Sequence, residues 1–100
     1  MPVLMISYQA AEEGIAELTG AIKATFAALE AKYPEGVRYA YWRCADSTEF
    51  VALLELAEGV ENPLPGIEAA LRLRSTVAKW VVGDPPIPQP FDVLGSYGFS

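Results

Sequence analysis

Tyr39, Tyr41 and Arg43 occupy every second position of VRYAYWR, residues 37–43. On an extended strand that spacing puts two phenols and a guanidinium on one face. Over an apolar floor such a trio can hold an aromatic enolate or phenolate, with Arg43 meeting the charge and the tyrosines supplying hydrogen bonds and stacking. Trp80 and Tyr97 are further aromatic candidates for the wall of the same pocket. Each of the five also has a plainer use. Strand tyrosines commonly pack their rings and leave the hydroxyl wet. Trp80 suits an anchor between a helix and a sheet. Arg43, near a hairpin end, suits a solvated charge or a partner for Asp46, and Tyr97 suits a subunit contact.

The sequence contains no histidine. That removes Ser-His-Asp and Cys-His nucleophile systems, the commonest zinc ligand and the usual proximal haem ligand. Chemistry here has to use carboxylates, Tyr, Arg, Lys, amides or the substrate's own reactivity. Cys44 is the single cysteine, so no internal disulfide forms. Arg43 is adjacent to it in sequence but points to the opposite strand face, so Cys44 reads as packing rather than as an activated thiol. Glu12, Glu13 and Glu17 read as a solvated helix face, and Asn62 as a turn or cap residue before PLP.

The 100 residues carry 7 basic and 13 acidic side chains, a formal net charge of −6. That balance opposes nucleic-acid binding, which draws on clustered Lys and Arg, and opposes an anionic membrane surface. The longest apolar runs fall far short of the ~20 residues of a membrane-spanning helix. The N-terminus lacks the basic leader of a signal peptide, and Glu12 and Glu13 soon follow its apolar run. A cytoplasmic location is the expectation. The length corresponds to one domain, residues 1–100. Hydrophobic residues make up 52% of the chain and charged residues 20%, apolar for so small a globule and consistent with burial against another copy.

Six elements position these residues. PVLMISYQ (Pro2–Gln9) is apolar without alternation, as in a central strand covered on both faces. From Glu12 the period changes, and Ile15, Leu18, Ile22, Phe26, Leu29 and Tyr33 form one face of an amphipathic helix that ends at YPEG. Gly14 and Gly20 within it read either as points of close approach or as tolerated imperfection. Residues 37–56 form a hairpin with Asp46 and Ser47 at its tip. One face then carries Val37, Tyr39, Tyr41 and Arg43 with Phe50, Ala52, Leu54 and Leu56. The other carries Arg38, Ala40, Trp42 and Cys44 with Glu49, Val51, Leu53 and Glu55. This register sets Arg38 opposite Glu55, and a slip of one residue would exchange the faces of one strand. A second helix has Pro65 in its first turn, Ile67, Ala70, Leu71, Val77, Ala78 and Val81 on its inner face, and Gly83 and DPP as its stop. FDVLGSYGF (Phe91–Phe99) is the last strand.

The order β-α-β-β-α-β is the ferredoxin-like α+β arrangement. Right-handed crossovers place strands one and three in the middle of a four-stranded antiparallel-type sheet, with both helices on one face. By this topology the ends of helix two, strand two and strand four are expected to converge. The uncovered face keeps Trp42, Val51 and Leu53, several hundred Å2 of apolar surface at about 25 cal/mol per Å2. Two copies pressed sheet to sheet would cover it, giving a homodimeric barrel with helices outside.

With this order of elements, GVRYAYWR entering strand two, ENPLPGIEAAL opening helix two and the VLGSYGF ending, the chain resembles the small dimeric α/β-barrel proteins of the antibiotic biosynthesis monooxygenase superfamily, in particular its short bacterial members. The resemblance covers nearly the whole chain. It implies a homodimer and, in the catalytic members, an oxygenase that uses neither metal nor flavin. Such an enzyme binds a polycyclic or quinol-type substrate between sheet and helices and lets the substrate anion pass an electron to oxygen. The haem-degrading branch has a characteristic histidine with no counterpart here. The competing expectation is a non-catalytic dimer that binds a ligand or serves as an accessory on the same scaffold. An acylphosphatase-like site would need a paired Arg and Asn after strand one, where YQAAEEG has neither. A metallochaperone would show C-x-x-C there, and an RNA-recognition sheet would carry basic and aromatic stacking motifs.

Overall fold

In the computed structural model, which describes residues 2–98, the apolar run Pro2–Gln9 forms β1 at the centre of the sheet, flanked by β3 (Glu49–Leu56) and β4 (Gln89–Asp92). With β2 (Val37–Arg43) the order is β2-β3-β1-β4, and every pairing is antiparallel. Helix α1 (Ile15–Lys32) and helix α2 (Glu68–Trp80) complete the ferredoxin-like α+β fold. The hairpin register is the expected one. Arg38 pairs with Glu55, and the two side chains form an ion pair at 2.8 Å. The loop is longer than a two-residue turn. Ser47 N–H donates to the Cys44 carbonyl, and Asp46 takes a left-handed φ of 56°.

Because side chains alternate along each strand, the register sorts the sheet into two faces. Leu4, Ile6 and Tyr8 of β1 lie level with Leu54, Ala52 and Phe50 of β3, and these with Tyr39, Tyr41 and Arg43 of β2. Both helices pack on this side. Leu18 of α1 and Leu73 and Val77 of α2 share one buried cluster with Tyr8, Ala10 and Phe50. Phe26 of α1 stacks on Tyr39 with ring centres 5.2 Å apart. Between the helices, the fully buried Thr25 hydroxyl donates to Ala21 O on its own helix and lies 3.2 Å from Ala69 O on α2. A hydroxyl is tolerated there because backbone carbonyls accept its hydrogen.

The opposite face carries Met5, Ala40, Val51 and Leu53, with Trp42 47% exposed and Phe91 49% exposed.

Three elements depart from the sequence expectation. Tyr33 is not on the buried stripe of α1. It caps that helix in the left-handed region at φ 47°, which swings its ring into solvent. On α2 the buried residue is Leu73 rather than Leu71, because the inner stripe runs Ile67, Leu73 and Val77 while Leu71 sits on its flank. Pro65 belongs to a separate 3-10 turn, Leu64–Gly66, ahead of the helix. The last strand is Gln89–Asp92 and not the glycine-rich segment after it. Asp92 pairs with Pro2, the first residue of β1. Residues 93–98 run on outside any strand, and Phe99 of the expected strand lies outside the described residues.

Of the two helix glycines, Gly14 makes a close approach. A Cβ there would overlap the indole of Trp80, whereas at Gly20 it would meet open space.

Candidate functional site

Between the sheet and α2 lies a cavity of about 460 Å3, half open to solvent. Its floor is Leu4, Ile6, Ala52 and Leu54 with the phenols of Tyr39 and Tyr41. Helix α2 roofs it through Ala70, Leu71, Leu73, Val77 and Ala78. Leu64, Pro65, Pro85, Pro86 and Pro88 also line it. The strand residues face the cavity because alternation puts residues 39 and 41 on the same side as 52 and 54. The prolines fix an extended chain beside it, since a ring-locked φ leaves each little freedom. The volume falls within the usual range of small-molecule sites, and so does a predominantly apolar lining with few polar groups.

Those polar groups are Tyr39, Tyr41, Asn62 and Arg74. The Asn62 side-chain oxygen accepts from Leu64 N–H at 3.0 Å and caps the turn, as its position before PLP implied. Burial, followed by the neighbouring Tyr8, pushes the Tyr39 phenol up to about 12. Burial, followed by the hydrogen bond to Tyr8, raises Tyr41 as well. Both phenols are therefore neutral near pH 7 and act as hydrogen-bonding groups rather than bases. The Tyr41 hydroxyl lies 2.5 Å from that of Tyr8, which sits behind it and is raised chiefly by burial. Tyr8, Tyr39, Tyr41 and Phe50 form one aromatic block, with Tyr8 stacked on Phe50 at 5.4 Å and Tyr39 edge-on to Tyr41 at 6.2 Å.

Of the five residues singled out from sequence, Tyr39 and Tyr41 line the cavity and the other three lie elsewhere. Arg43 ends β2 and turns toward the hairpin loop, where its Nε donates to Ser47 O at 2.6 Å. Trp80 packs on Gly14 and the core, with its buried Nε1 lacking an acceptor among the described residues. Tyr97 is 96% exposed. The expected convergence fails for strand four because β4 runs antiparallel to β1 and ends beside Pro2. The end of α2 instead meets the far end of β1, where Ala11 N–H donates to Trp80 O.

Arg74 was missed. It lies on the cavity rim, exposed, and makes no hydrogen bond or ion pair with any described residue. The sequence carried a signal for it. Ile67, Ala70, Arg74, Val77 and Val81 step by 3, 4, 3 and 4, so position 74 is a lone charge on an apolar stripe. Among the described residues no group of three or more His, Cys, Asp or Glu could hold a metal ion, and no helix is long and apolar enough to cross a membrane.

No protein-family model matches the chain, and no curated protein matches it. Solved structures do. A candidate antibiotic biosynthesis monooxygenase from Nitrosomonas europaea superposes with a TM-score of 0.70 at 18% identity, over 97% of this chain and 93% of the other. The Rv0793 protein of Mycobacterium tuberculosis gives 0.69 at 19% identity, over 96% and 98%. The NE2512 protein of unknown function from Nitrosomonas europaea gives 0.67 at 16%, over 96% and 91%. What is shared at such identities is the fold, over nearly the full length of each chain.

Proposed function

We propose that the cavity binds a small apolar aromatic or quinol-type metabolite, on a scaffold of the antibiotic biosynthesis monooxygenase type. The observation that carries this reading is the apolar cavity of about 460 Å3 with two neutral phenols in its floor and, on its rim, an arginine that has no partner among the described residues. The fold likeness to a candidate monooxygenase supports it. The corresponding reaction is oxygenation of a bound quinol anion by dioxygen. One oxygen atom becomes a ring carbonyl, and the other leaves as water with two hydrogens from the substrate. Among the described residues the lining offers no carboxylate, histidine or lysine to take a proton. The substrate must therefore ionise through its own acidity, with Arg74 favouring the anion and the apolar walls excluding water.

The same lack of a base favours a second reading, a protein that binds such a ligand without turning it over. Two measurements separate the readings. Calorimetric titration with anthrone, naphthoquinol and related ring compounds is expected to give micromolar binding, and silence across the panel overturns the cavity reading. Oxygen uptake with the compounds that bind identifies the oxygenase; binding without uptake identifies the carrier.

The assembly proposed with this function is a homodimer through the open sheet face, where Trp42 and Phe91 stand half exposed. Sedimentation showing a monomer at micromolar concentration would exclude it. The exposed, unpaired Cys44 suits a reducing compartment such as the cytoplasm.

A further inference from the structure

Tyr8 takes no part in lining the cavity, yet its hydroxyl meets that of Tyr41, which does. It is 6% exposed, and the Tyr41 hydroxyl is its sole hydrogen-bond partner among the described residues. Two hydroxyls at this separation have two hydrogens, and one of them lies between the oxygens. If Tyr41 donated, the Tyr8 hydrogen would be left in the core with no acceptor. If Tyr8 donates, its hydrogen is satisfied and the Tyr41 hydrogen is free to point away from the core. Tyr41 lines the cavity, so that direction is occupied by ligand or water. The second arrangement wins, because an unmet buried donor costs more than one that reaches solvent. Accepting a hydrogen bond also polarises the Tyr41 hydroxyl and makes it a better donor.

Tyr39 adds a second neutral phenol at 6.2 Å, ring centre to ring centre, and Arg74 adds guanidinium donors at the rim. The floor and rim therefore offer hydrogens, and no carboxylate among the described lining residues offers a strong acceptor in return.

We propose that Tyr8 is a positioning residue that turns the Tyr41 hydroxyl into the cavity as a donor, so that the site selects ring ligands bearing a carbonyl-type or ionised acceptor oxygen. This rests on the reading of the cavity as a ligand site and narrows its ligand class to aromatic ketones, quinones and enolates.

The experiment uses two rings of nearly the same shape, 9-fluorenone, which has an acceptor oxygen, and fluorene, which has none. Both are titrated into the wild type, Tyr41→Phe, Tyr8→Phe and the double variant. The quantity read is the affinity ratio of fluorenone to fluorene within each protein. It is expected to fall about fivefold in Tyr41→Phe, the loss of one ordinary hydrogen bond. It falls part of the way in Tyr8→Phe, and the double variant matches Tyr41→Phe. The carbonyl stretch of bound fluorenone is lowest in the wild type and rises in Tyr8→Phe.

A purely structural Tyr8 would weaken both probes equally and leave the ratio and the stretch unchanged, which overturns the proposal. A ratio unchanged in Tyr41→Phe overturns it as well. Failure of both probes to bind any of the proteins instead refutes the ligand-site reading on which the proposal stands. Should a single variant not fold, the double variant, which leaves no orphaned hydroxyl, carries the comparison with the wild type.

Discussion

Replacing Tyr41 by Phe should destabilise the protein more than replacing Tyr41 and Tyr8 together. In the single variant the ring stays, but the Tyr8 hydroxyl loses its partner at a position only 6% exposed. An unmet buried donor costs roughly 1–3 kcal/mol. Tyr8→Phe is milder, about 0.5–1.5 kcal/mol, because the orphaned hydroxyl then belongs to Tyr41, a residue that lines the cavity and can turn its hydrogen toward water there. The double variant removes both polar groups and keeps the ring packing around Phe50, with centre distances of 5.4 and 6.4 Å. Replacing both partners by apolar groups of the same shape is close to neutral. With the double variant close to neutral, the cycle should therefore show a coupling of roughly 1.5–4.5 kcal/mol, the sum of the two single losses. Urea unfolding of the four proteins near pH 7 measures it, with thermal melts as a cross-check at about 4–8 °C per kcal/mol for a chain of this size. Additive losses, with the double variant as unstable as the sum of the singles, would show that the two hydroxyls are not a coupled buried pair. The orientation argued for Tyr41 would then have no basis.

Gly14→Ala should cost about 1–3 kcal/mol through overlap with the Trp80 indole, while Gly20→Ala, with open space around it, should gain about 0.5–1 kcal/mol; denaturant midpoints compare them directly. Stability should be nearly flat from pH 7 to 10 and fall between 10 and 12. The folded state holds Tyr39 protonated up to about 12 whereas the unfolded chain releases that proton near 10, so the contribution is complete below 10 and lost as pH rises through the folded value; unfolding midpoints against pH read it out. Arg74→Gln should weaken binding of 2-naphthoate roughly fivefold and leave naphthalene unchanged, the modest factor reflecting a solvent-exposed charge; equal effects on both ligands would remove Arg74 from the site.

The fold was legible because its determinants are local. Apolar spacing marked β1 and α1, and the hairpin register followed from alternation and the Arg38–Glu55 match. The strand order then came from chain handedness. The site was half legible, for a related reason. Alternation correctly put Tyr39 and Tyr41 on the helix side of the sheet, but proximity in sequence said nothing about Arg43, whose side chain turns back to the loop it borders. Trp80 was readable as aromatic but not as the group wedged against Gly14, since that contact joins residues 66 positions apart.

Sequence by itself determined the periodicities, the absence of histidine and hence the chemistry that is excluded, and the faces of the hairpin. Tertiary structure decided which side of α2 is buried and where β4 ends. It also set the Tyr8 hydroxyl against that of Tyr41 and left Arg74 on the cavity rim without a partner among the described residues. Those outcomes depend on how far each element rotates and slides against its neighbours. Packing of the whole core fixes that, and a rotation of a few tens of degrees about a helix axis moves a residue from core to rim.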